Sequence, residues 1–109
     1  MKYQKFNYTN KSEIEQMLND GHNVSKLIIG AVNGVDDQLW LEELCTKYIL
    51  NEDFGIARTA IYGVGDIARI YGKVLNFEII KEKFAQIQDQ RLKYVIQDVE
   101  DDFKIFLKE

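Results

Sequence analysis

Carboxylates dominate the residues of this 109-residue chain that could do chemistry. Asp36, Asp37, Glu42, Glu43, Glu52 and Asp53 crowd residues 36–53 against one base, Lys47. Asp98, Glu100, Asp101 and Asp102 form a second acidic segment with no base inside it. The whole chain nets only -4, so the remainder is basic and the modest total conceals a polar distribution. Asp98, Asp101 and Asp102 stand at i, i+3 and i+4, on one side of a helix, where like charges repel by a few tenths of a kcal/mol per pair. A nearby cation would relieve them. It could be Arg58, Arg69 or Arg91 of the same chain, the basic face of a protein partner, or a divalent metal. A calcium hand needs a glycine-turn loop that is missing here. Paired carboxylates can also catalyse hydrolysis, but no substrate-positioning motif accompanies these.

Other constellations are thinner. Residues 63–68 read G-x-G-x-x-A, the pattern by which a dinucleotide fold brings backbone to a pyrophosphate. The preceding residues read as the same helix and not as a strand, so helix packing is the reading that fits. Cys45 lies on an apolar helical stripe, where a thiol behaves as a small hydrophobe. His22 follows Gly21 in a turn. One cysteine and one histidine leave no intramolecular disulfide, Cys-cluster zinc site or two-histidine metal motif. Trp40 reads as core, whereas Tyr62 falls off the main stripe of its helix and is a candidate for partner contact.

The elements that must position these residues are helices. Ser12 to Glu15 reads as a capping box for a helix over residues 12–19, with a stop at Asp20-Gly21. Asn23 caps a second over 24–32, with Asn33-Gly34 as a left-handed stop. Asp36 or Asp37 caps a third, carrying Leu41, Leu44, Cys45 and Tyr48 inward. Asp53 opens a long helix over 54–71 with the stripe Ile56, Ala60, Ile61, Val64, Ile67, Ala68 and Tyr71, and Gly72 ends it. Gly63 and Gly65 each cost that helix ~1 kcal/mol relative to Ala, so close approach by neighbouring helices must compensate. Asn76 caps a fifth helix with Phe77, Ile80, Phe84 and Ile87 inward. Asp89 opens the last, with Leu92, Val95, Ile96, Val99, Phe103 and Phe106. Five or six helices on short connections make one all-α domain spanning residues 1–109.

Composition narrows the partner. The acidic balance argues against direct nucleic-acid binding, which draws on clustered Lys and Arg. No apolar run approaches the ~20 residues of a membrane span, and residues 1–10 lack a secretory signal. A soluble cytoplasmic protein without a cofactor is expected.

Helix pairs recur at intervals of ~35 to 45 residues, as in stacked hairpins. Residues 56–67, Ile-Ala-Arg-Thr-Ala-Ile-Tyr-Gly-Val-Gly-Asp-Ile, resemble the second helix of a HEAT-like repeat, with Asp53 in the preceding turn. Together with Asp36, Trp40, Cys45 and the acidic run before Phe106, the chain is similar to small bacterial HEAT-like proteins, among them immunity proteins of polymorphic toxins and of contact-dependent growth inhibition. The resemblance implies a compact α-α superhelix of antiparallel hairpins, used for protein binding and carrying no catalytic residue. The expected function is an immunity protein that blocks a basic toxin domain, such as a nuclease, by occluding its active site. The alternative is a HEAT-like adaptor without a toxin partner. The expected contact residues are Asp36, Asp37, Glu42, Glu43, Asp98, Asp101, Asp102 and Tyr62.

Overall fold

The computed structural model describes residues 9–21 and 23–107. Most of the N-terminal arm over residues 1–10 lies outside them, as does the turn position expected for His22. The described residues form six helices and no strand: α1 (Lys11–Asn19), α2 (Val24–Gly34), α3 (Gln38–Tyr48), α4 (Phe54–Tyr71), α5 (Phe77–Ala85) and α6 (Gln90–Phe106). The fold is all-α.

Side-chain caps set most of the starts. Asn23, Asp37, Asp53 and Asp89 each accept a hydrogen bond from a first-turn amide, satisfying donors that the helix itself leaves open. Gly21 and Gly72 adopt φ of +76° and +71°, terminating α1 and α4 as glycine allows. Three boundaries differ from expectation, one being α5, which ends at Ala85 and leaves Ile87 buried beyond it. Asn10 caps α1 in place of Ser12, because its Oδ1 accepts from the Glu13 amide at 3.1 Å. α2 continues through Asn33-Gly34, neither of which is left-handed. The Asn33 side chain instead donates to the Ile29 carbonyl, a bond that keeps the helical turn intact.

The helices lie in two rows. α2, α4 and α6 form one, with α4 in the middle, and α1, α3 and α5 form the other. Neighbours within a row run parallel. Tyr62 meets Asp98, while Gly72 approaches the Phe106 carbonyl further along the same pair. Across the rows the direction reverses: Cys45 meets Gly63, while Asp36, before α3, meets Tyr71 at the far end of α4. The core fills the space between, from Ile14 and Ile28 through Leu41, Ile61, Val64 and Ile67 to Ile80 and Val99.

Both interior glycines of α4 have the expected use. A Cβ on Gly63 would stand 2.7 Å from Cys45 Sγ, closer than carbon and sulfur tolerate, with Ile28 and Val32 just beyond. A Cβ on Gly65 would meet Asp102 Oδ2 at 3.2 Å and Val99 Cγ2 at 3.3 Å. The two positions are 200° apart around the helix, so one glycine admits α2 and α3 and the other admits α6. Their amides lie within the helix, as packing requires and a phosphate cradle does not.

Candidate functional site

The two acidic segments do not share a face. Residues 36–53 lead into α3 in one row, whereas Asp98, Asp101 and Asp102 lie on α6 in the other. Their anchors on α4 make the separation explicit. Tyr62 donates its hydroxyl to Asp98 Oδ2 at 3.2 Å, and Tyr71 donates to Asp36 Oδ1 at 3.2 Å. Nine residues place the two tyrosines half a turn apart around α4. Partial burial, and then the neighbouring carboxylate, push both phenols above their usual ionisation range.

Most of the first segment is engaged within the protein. Asp37 holds the start of α3 through the Trp40 amide and pairs with Lys11 at 2.7 Å. The Lys11 ammonium and the Trp40 N–H together hold its carboxyl below the ordinary carboxylate range. Glu42 corrects the expectation that it contacts a partner, because it is fully buried. Its Oε1 accepts from the Asn76 amide at 2.7 Å, and its Oε2 accepts from the Leu75 amide at 2.7 Å and from Gln38 Nε2 at 2.9 Å. Gln38 Nε2 also donates to the Lys73 carbonyl. One α3 carboxylate thus holds the segment that leads into α5, where the expected cap, Asn76, makes no side-chain bond. Glu43 does reach the surface, lining hollows between α3 and its row neighbours α1 and α5. Trp40 is half-buried, with its indole N–H on Glu15 at 2.9 Å.

The second segment meets α4 along a seam. Asp98 is exposed and bound by the Tyr62 hydroxyl, and Asp102, half-buried, leans over Gly65. Asp101 points away from the seam, where it accepts from Gln97 at 3.1 Å and faces Lys104 at 4.0 Å. Glu100 turns to the other side of α6 and pairs with Lys81 of α5. None of the three arginines that could have neutralised the acidic segments forms an ion pair with them. Arg69 binds Asp66 at 2.6 Å and Arg91 binds Asp89, whereas Arg58 stays at the seam, over the Tyr62 ring at 5.1 Å and beside the hydroxyl that bonds Asp98. Among the described residues, no basic group comes within ion-pair distance of Asp98 or Asp102.

Between α2 and α4, beside this seam, runs a shallow groove of about 280 Å³. Ile28, Ile29, Val32 and Gly63 line its apolar part, and Arg58, Thr59, Tyr62 and Asp66 border it. Composition gave no sign of it, because Ile29 and Thr59 acquire their setting only when α2 packs on α4.

Cys45 is fully buried, and loss of hydration pushes its thiol up to about 12. At neutral pH it is a protonated packing group. Among the described residues, no three His, Cys, Asp or Glu side chains gather to hold a metal, and no helix is long and apolar enough to cross a membrane. Comparison of the chain with family models, with curated proteins and with solved structures finds no match.

Proposed function

We propose that this chain is a protein-binding module of the immunity kind, whose partner is a basic toxin domain. The α2–α4–α6 row receives the partner and covers its active site. In this reading consecutive helices from the two rows, α1–α2, α3–α4 and α5–α6, pair as the hairpins of a short HEAT-like superhelix, and the binding face is the one centred on Tyr62. The observation that carries it is the α4–α6 seam, where Asp98 and Asp102 lie without a basic group at ion-pair distance among the described residues, while Arg69 and Arg91 pair with other carboxylates. Unneutralised carboxylates at a surface seam create a negative potential that accelerates encounter with a basic protein and disfavours acidic ones. If the toxin is a nuclease, these carboxylates occupy the place of substrate phosphate in its basic cleft. Asp36, Asp37 and Glu42 act in folding, and Glu43 lies on the other row.

The test is co-expression. A basic domain encoded beside this gene, toxic when expressed alone, becomes harmless in cells that also make this chain. Protection is lost when Asp98→Lys and Asp102→Lys are combined. Undiminished protection by that variant rejects the seam as the interface. A non-toxic neighbour, with the chain bound to a housekeeping protein, rejects the immunity role in favour of an adaptor.

A further inference from the structure

The central helix of the fold leaves one side open. α4 is covered by α2 and α3 beyond Gly63 and by α6 beyond Gly65, yet Arg58, Thr59, Tyr62 and Asp66 form an outward stripe along it at helical spacing. On one flank Ile29 of α2 is 52% exposed at the edge of the apolar groove. On the other flank stand Asp98 and Asp102 of α6, one helical turn apart. The surface is therefore asymmetric, with an apolar channel on the α2 side and, on the α6 side, two carboxylates with no cation at ion-pair distance among the described residues, Asp98 holding only the Tyr62 hydroxyl.

We propose that the α2–α4 groove docks a cationic amphipathic helix of the partner protein. The occupant follows from charge and shape together. α2 and α4 run parallel, so the groove between them follows the helix direction, and a helix laid along it presents side chains every ~5.4 Å to the exposed Ile29 and to Arg58 and Thr59, above a floor of buried Ile28, Val32 and Gly63. Lysines or arginines on its α6-facing side reach Asp98 and Asp102, whose one-turn spacing matches theirs. An acidic helix meets the same two carboxylates as repulsion. This inference rests on the partner being basic, and adds that the docked element is helical and where its apolar residues sit.

The experiment uses the full chain, labelled for amide spectroscopy, and a synthetic Leu/Lys amphipathic helix of about five turns. A Leu/Glu helix of identical pattern and a Gln/Lys helix without an apolar face serve as comparators. Addition of the Leu/Lys helix shifts the amides of Ile29, Val32, Thr59 and Gly63. Its affinity falls roughly tenfold or more in Ile29→Asp, and by a similar factor in Asp98→Lys combined with Asp102→Lys. Ile29→Gln, milder at the same exposed position, gives a smaller loss with an unchanged melting curve, separating docking from folding. Full affinity in Ile29→Asp with loss in the charge reversal overturns the groove and leaves the basic-partner reading standing. Full affinity in both sets of variants overturns both. Equal binding of the Leu/Glu helix overturns the charge assignment. A concentration-dependent dimer abolished by Ile29→Asp gives the groove to a second copy of this chain and overturns the proposal.

Discussion

The contact between Gly63 and Cys45 joins the two rows at single-atom resolution. Adding a methyl group at residue 63 drives it into Cys45 Sγ, which is wholly enclosed and has no free volume to enter. Gly63→Ala is therefore expected to lose about 1–3 kcal/mol, the cost of overpacking, despite the better helix propensity of alanine. Cys45→Ala removes the obstacle and leaves a space beside residue 63. The double variant should be more stable than the sum of the two single changes by at least ~0.5 kcal/mol, because the new methyl group occupies what the sulfur vacated. Urea denaturation of the four proteins measures this coupling, and strict additivity would refute it. The same sulfur makes a prediction in pH. In the unfolded chain the thiol ionises near its ordinary value of 9.0, but in the folded protein it does so only at about 12. Between these values the folded state binds the extra proton, so this contribution to stability is complete below pH 9 and is lost progressively as pH rises towards 12. A shallower alkaline decline in Cys45→Ala is the expected signature. At pH 8 native Cys45 should resist iodoacetamide and react only on unfolding.

α5 shows how an element can depend on a residue that the sequence places far away. It is nine residues long, buries only Ile80 and Phe84, and has no cap of its own at Asn76. The amides of the two residues that lead into it, Leu75 and Asn76, are held instead by Glu42, more than thirty residues earlier. Glu42→Ala strands two part-buried donors, for an expected cost of about 2–4 kcal/mol. Glu42→Gln retains a single acceptor oxygen and should fall between alanine and the native protein. Denaturant midpoints give the order, and hydrogen exchange at Leu75 and Asn76 locates the damage. An Ala variant as stable as the native chain would show that solvent replaces the carboxylate without loss. This arrangement also explains why sequence reasoning misassigned the residue. Helix starts at Asp37, Asp53 and Asp89 were legible because their caps are local, and the glycines of α4 were legible because a propensity cost demands compensation. Glu42 is followed by Glu43 in an acidic run, and nothing local distinguishes a buried capping carboxylate from a solvated one. The split of the two acidic segments is equally a tertiary fact. Charge counting sees their sum, whereas only the placement of Tyr62 and Tyr71 around α4 shows that they are anchored on opposite sides.

At the scale of the molecule, α4 is the axis on which the other elements depend. It contributes Ala57, Ala60, Ile61, Val64, Ile67 and Ala68 to the core and packs directly on α2, α3 and α6. α1 contributes one buried side chain, Ile14, and meets α3 through surface bonds from Lys11 and Glu15. α5 is fastened through Glu42, the Phe77–Phe103 ring contact and the Lys81–Glu100 pair. Elements with few buried apolar residues open without unfolding the whole, whereas those at the centre open only with it. Native-state hydrogen exchange should therefore rank the amides of residues 61–68 with global unfolding and those of α1 and α5 well below it. Glu42→Ala should lower the protection of α5 further while leaving that of α4 tied to global stability. Exchange of α4 on the timescale of α1 would contradict its role as the axis. The proposed binding face would gain from this order. Tyr62 and Asp66 belong to the helix that packs on α2, α3 and α6, and Asp98 and Asp102 lie on α6, so the proposed seam is held by the core before a partner arrives. That spares the ordering entropy a mobile surface would lose on association.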